Sequence, residues 1–129
     1  KRVTVMLNGV STNGTSNPLI QIGDSSGVAI TGYSASSARV LATPSFTTYT
    51  TGFGIYGAAG TNVYNGVIML NLISGVIWNC TYNLQDSGNI AALLGGGIKT
   101  LSTALDRVRI TTVNGTDTFD AGSINIMYE

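Results

Sequence analysis

Apolar and polar residues alternate along most of this chain with a period of two, the pattern of strands that bury one face. Val3, Val5 and Leu7 alternate with Arg2, Thr4, Met6 and Asn8. A polar loop, GVSTNGTSNP, is expected over residues 9–18. Two short apolar runs, 19–22 and 28–30, flank Gly23-Asp24-Ser25-Ser26-Gly27 and predict a hairpin. The Ser- and Thr-rich stretch 34–51 predicts strands near 38–42 and 46–50, with Pro44 at an edge or bend. Large residues then alternate with glycine from Gly52 to Tyr56, and a loop is expected over Gly57–Gly60.

The strongest hairpin signal spans residues 66–74 and 76–84 around Ser74-Gly75. Its first strand is apolar on both faces: Val67, Met69 and Ile73 on one, Ile68, Leu70 and Leu72 on the other. Such runs belong to strands covered on both sides. In an antiparallel domain the second cover is often another subunit. The next strand sets Val76, Trp78, Cys80 and Tyr82 on one face. Residues 90–94 have helical character, but the run is short and Gly95-Gly96-Gly97 stops it, so a loop or single turn is expected. A strand follows over 98–104, with Leu101 inward.

The last 25 residues, LDRVRITTVNGTDTFDAGSINIMYE, read as two strands in a terminal hairpin about Asn114-Gly115. In the first, Val108, Ile110 and Thr112 alternate with Arg107, Arg109 and Thr111; in the second, Ile124, Ile126 and Tyr128 alternate with Ser123, Asn125 and Met127. Repeated strands with polar turns, and no linker, predict one antiparallel β-sandwich domain over residues 1–129.

Composition adds an assembly question. The 129 residues carry six basic and six acidic side chains, 9% charged in total, with net charge zero. A soluble surface usually carries more charge. A surface of Ser, Thr, Asn and Gly would explain this in a monomer; an oligomer burying apolar surface between subunits explains it better. No basic run suggests a nucleic-acid partner, and no apolar run is long enough for a membrane helix. The chain begins at Lys1 inside a strand pattern, which reads as a fragment or processed chain whose start lies upstream.

The chemistry on offer is narrow. Without histidine, imidazole triads and imidazole metal sites are excluded. Cys80 is the only cysteine and reads as a small buried hydrophobe. No phosphate-loop or dinucleotide motif calls for a cofactor. Asp117 and Asp120, in GTDTFDAG, read as turn residues, with a calcium loop as the alternative. Asn13, Asn79 and Asn114 open N-x-S/T sequons, two of them Asn-Gly turns. A carbohydrate site calls for an aromatic ring beside Asn, Asp or Gln. Two stretches qualify: Asn62, Tyr64 and Asn65 in an expected loop, and Trp78 with Tyr82, Asn83 and Asp86. Core packing is the competing role for Trp78. Arg107 and Arg109 either face an acidic sugar, pair with acidic neighbours or line a subunit interface.

Residues 1–23, KRVTVMLNGVSTNGTSNPLIQIG, and the terminal LDRVRITTVNGTDTFDAGSINIMYE resemble the C-terminal domain of bacteriophage and prophage tail fibres or tailspikes. The resemblance covers the two ends, roughly a third of the chain. It implies a jelly-roll-like β-sandwich, a homotrimer, a place on the virion at the distal end of a fibre, and non-enzymatic attachment to bacterial surface polysaccharide. A domain that only trimerises and caps the fibre is the alternative. A depolymerase is disfavoured by the few carboxylates and missing histidine. No family binding residue maps onto a motif here.

Overall fold

A computed structural model describes residues 1–57 and 60–129. The loop expected over Gly57–Gly60 therefore lies partly outside the described residues. Among the described residues there are eleven strands and no helix: β1 (Arg2–Thr12), β2 (Pro18–Asp24), β3 (Gly27–Val28), β4 (Tyr33–Val40), β5 (Ser45–Tyr49), β6 (Phe53–Gly54), β7 (Tyr64–Ser74), β8 (Ile77–Asp86), β9 (Ala91–Thr100), β10 (Arg107–Thr112) and β11 (Phe119–Tyr128). They build a β-sandwich. The larger sheet has the order β11-β1-β7-β8-β9-β4-β5; the smaller runs β10-β2-β3, with β6 also on β2. The chain ends wrap together as in a jelly roll, β1 against β11 and β2 against β10. Between them β7, β8 and β9 form a meander.

The alternation explains which face each strand buries. Val3, Val5 and Leu7 of β1, Ile68 and Leu70 of β7, and Trp78, Cys80, Tyr82 and Leu84 of β8 meet Ile20, Ile22 and Phe53 from the smaller sheet. Each Val, Leu, Ile or Phe among them contributes about 1.5–3 kcal/mol when fully buried. Tyr33 ties the sheets together. Its hydroxyl takes the Ile22 N–H at 2.9 Å and donates to the Ala29 carbonyl at 3.0 Å. Its ring meets Phe53 edge-on, with centroids 5.0 Å apart.

Three expectations are corrected. First, the terminal segment is no hairpin, because β10 lies in the smaller sheet and β11 in the larger. Asn114-Gly115 does turn the chain, with Gly115 at φ 70°. However, Asn114 Oδ1 accepts the Thr116 and Asp117 N–H groups, and the chain then crosses to β1 through paired bonds between Asn13 and Thr118. Second, residues 91–100 form β9, straight through the triple glycine, rather than a helical turn and a later strand. The glycines admit neighbours: a Cβ at Gly95 would overlap the Tyr82 ring, and one at Gly97 would meet Ala35 and the Ser34 carbonyl. Leu101 is buried as expected, just beyond the strand. Third, β1 does not stop at Asn8. A bulge at Gly9, φ 63°, shifts the register and lets pairing continue to Thr12.

Candidate functional site

The side chains expected to contact a glycan separate into three groups. Asn62, Tyr64 and Asp86 do come together, where β7 starts and β8 ends, but all three are buried. Asp86 Oδ1 accepts the Val63 and Gly88 N–H groups at 3.0 and 3.1 Å. Its Oδ2 accepts the Asn89 amide at 2.9 Å and faces Arg39 Nη2 at 3.5 Å. Asn89 also donates to Asn62 Oδ1 at 2.7 Å, and Asn62 donates to the Tyr64 hydroxyl at 3.0 Å. Burial pushes the Tyr64 phenol above its ordinary pKa, with the neighbouring Asp86 charge adding to the rise. Gly57 is glycine because a Cβ there would collide with the Asn62 amide and the Tyr64 hydroxyl. Asn65, half-buried beside them, accepts the Gly9 N–H at 2.7 Å and donates to Ser87 Oγ at 3.0 Å. These groups spend their polar atoms inside the chain. They lock the 60–65 segment onto the end of β8, and a ligand at the surface does not reach them.

Tyr82 is core. Its hydroxyl donates to the Gly54 carbonyl at 2.5 Å, and burial raises its pKa. Asn83 is exposed on the opposite face of β8. In this second stretch the strand's alternation sends Asn83 outward and Trp78, Tyr82 and Asp86 inward.

Trp78 lies at the far end of the sandwich. It is 3% exposed, and its indole N–H has no partner among the described residues. An unmade bond of this kind costs roughly 1–3 kcal/mol. Trp78 lines a cavity of about 630 Å³ with residues from both sheets. Val3 and Leu72 of the larger sheet and Val76 of the β7–β8 turn wall it on one side, Leu105 and Val108 on the smaller sheet's side. The end of β11 supplies Ile126 and Tyr128, and Glu129 follows just beyond it. Ile124, Ile126 and Tyr128 pair with Leu7, Val5 and Val3 and share their inward face. They stay exposed, Tyr128 at 84%, because β11 is the free edge of the larger sheet.

The cavity rim is charged in pairs. Arg2 bonds Glu129. Arg107 grips Asp106 through Nε at 2.6 Å and Nη2 at 3.0 Å, which holds the Asp106 carboxyl below its ordinary pKa. Arg109 instead donates to Gln21 at 2.7 Å. The other carboxylates serve the backbone. Asp24 takes the Ser102 hydroxyl at 2.7 Å and the Ser26, Ser102 and Thr103 N–H groups; these bonds, the hydroxyl first, hold it well below the usual carboxylate range. Asp117 bonds Asn114 and the Ser16 N–H, and Asp120 bonds Ser11. Among the described residues no cluster of three or more His, Cys, Asp or Glu could hold a metal.

The outer face of the larger sheet is the second surface without internal partners. The strand register aligns Met127, Thr4, Met69, Thr81, Gly96, Ser36 and Thr48 in one row across all seven strands. The next row is Asn125, Met6, Val67, Asn83, Leu94, Ala38 and Phe46. Neither row contains a charge. Val67, Met69, Leu94, Ile98 and Met127 are all exposed there, and Phe46 stands 75% exposed beside a shallow trough over Gly95–Gly97.

Sequence reasoning missed the contributions of Tyr128, Asp106 and Leu105 to the end cavity. The only available signal was the apolar alternation of the last strand, and it does not say that the strand overhangs. Comparison with protein-family models, with curated proteins and with solved structures finds no match.

Proposed function

We propose that this chain is a non-enzymatic, self-assembling attachment domain: a homotrimeric β-sandwich at the distal end of a phage tail fibre or tailspike, binding bacterial surface polysaccharide. The observation that carries the assembly part is the pair of charge-free rows that cross the outer face of the larger sheet. Seven strands about 4.8 Å apart, each offering about eight residues at 3.4 Å, make a face of roughly 900 Å². One partner in a standard interface contributes about 800 Å². Val67, Met69, Leu94, Ile98, Met127 and Phe46 stand exposed among Thr, Ser, Asn and Gly on this face, and apolar side chains grouped without charge mark interfaces.

The attachment part follows from the resemblance of the two chain ends to tail-fibre and tailspike domains. The non-enzymatic part is supported by the carboxylates. Asp106, beside the end cavity, is kept ionised by Arg107, the reverse of what a general acid needs. A glycan array probed with the intact protein, and competition with phage adsorption, test the attachment reading. Binding to bacterial polysaccharide supports it. No array binding and no competition with adsorption would sink it.

One observation favours a second reading, a domain that trimerises and caps the fibre without a ligand. Asn62, Tyr64 and Asp86 are consumed by internal bonds. In that case the array stays blank while the protein remains a trimer.

A further inference from the structure

We infer that the end cavity is a saccharide-binding site, with Tyr128 as its stacking platform and the Arg2–Glu129 and Arg107–Asp106 pairs as its hydrogen-bonding rim. This rests on the attachment reading and gives it a location and a ligand class. The volume, about 630 Å³, lies within the ~300–1,000 Å³ of small-molecule sites. The cavity has an apolar interior, an exposed ring at its mouth and polar groups confined to the rim. A sugar ring has the matching anatomy, with an apolar C–H face and a perimeter of hydroxyls.

Two features set this cavity apart from a packing defect. One is Trp78, which lines it and carries a buried N–H without a partner among the described residues. The other is the pre-orientation of the rim. Arg107 commits Nε and one Nη2 hydrogen to Asp106, so the other N–H donors of its five remain for hydroxyl oxygens. The paired carboxylates keep lone pairs for hydroxyl protons. Because each guanidinium already faces a carboxylate, the rim suits an uncharged sugar better than a hexuronic acid. Lys1 adds one exposed ammonium at the edge. The site is built by the ends of five strands, β1, β7, β8, β10 and β11, so it exists only in the folded sandwich.

The chain has one tryptophan, and it lies in the cavity wall, so its fluorescence is a local probe. The intact protein is titrated with neutral hexoses, N-acetylhexosamines, 6-deoxyhexoses and hexuronic acids, and the bacterial polysaccharide array is read with wild type, Tyr128→Ala, Arg107→Ala and, as a control outside the cavity and the outer sheet face, Thr116→Ala. Tyr128, Arg107 and Thr116 are exposed, so these variants fold. A change in Trp78 emission with a neutral sugar is expected. Array binding is expected to fall about tenfold or more in Tyr128→Ala and Arg107→Ala, as for an aromatic or arginine anchor, and to hold in Thr116→Ala. Array binding that survives both cavity substitutions overturns this location and leaves the attachment reading standing. A response confined to hexuronic acids overturns the neutral-sugar assignment. A blank array for wild type removes both.

Discussion

Asp86 provides the sharpest test of whether the Asn62–Tyr64–Asp86 cluster holds the fold. Asp86→Ala removes a fully buried carboxylate that accepts two backbone N–H groups and one amide, and faces Arg39. Hydrogen bonds to a charged group contribute about 1.5–3 kcal/mol each, without adding in full. Breaking one partner of a buried ion pair costs about 3–5 kcal/mol. Arg39 keeps some solvent contact, 16% of its side chain, so its own stranding is partly relieved and the lost N–H acceptors dominate. The expected loss is therefore about 3–5 kcal/mol, against a typical domain stability of about 5–15 kcal/mol. Arg39→Ala should cost less, about 1–2 kcal/mol, because Asp86 keeps its three donors. Urea unfolding followed by tryptophan emission, at one fixed protein concentration because assembly contributes to stability, measures both. A loss under about 1 kcal/mol for Asp86→Ala, or a larger loss for Arg39→Ala, would refute the reasoning and return Asp86 to the list of surface contacts.

Other consequences follow from single residues. Ile90 sits at φ 52° in the β8–β9 turn and is 86% exposed, so Ile90→Asn removes left-handed strain and buries nothing less. The variant should gain about 0.5–1.5 kcal/mol in urea unfolding, and a loss contradicts the turn geometry. Asp24 has a depressed pKa in the folded state, so its contribution is complete above about pH 5 and falls away as pH drops through and below ~3.9. Asp24→Asn should therefore be less stable than wild type at pH 6, and the gap between the two stability curves should start to narrow as pH falls below about 4; parallel curves would be the wrong outcome. Cys80 is fully buried and burial raises its thiol pKa, so disulfide reagents should label it at the unfolding rate. Rapid labelling of the native protein would show that β8 is open.

The alternation was enough to predict most strands and the sandwich, because a half-buried strand writes its own pattern. Ile68 and Leu70 are inward and Val67 and Met69 outward, as their spacing implies. The failures share a cause: a local pattern does not report which strand lies alongside. The Asn114-Gly115 turn is real, yet β10 and β11 part company because each finds a different neighbour at the other end of the chain. Gly95–Gly97 reads as a break only until the Tyr82 ring is known to fill the space above it. The candidate site was half legible. Residue type singled out Asn62, Tyr64 and Asp86 in two separate stretches; the pairing of β7 with β8 joins them, and burial turns them from binding groups into structural ones. The end cavity needed the overhang of β11, a fact of topology that no window of sequence holds.

The mass of the intact protein in solution tests the account most directly, measured for wild type and for Met69→Lys/Leu94→Lys. Both substitutions lie on the exposed outer face and remove no core contact. The account predicts three copies of the 13.3 kDa chain for wild type at micromolar concentration and a folded monomer for the double variant. A wild-type monomer, or a variant that stays trimeric, would contradict it.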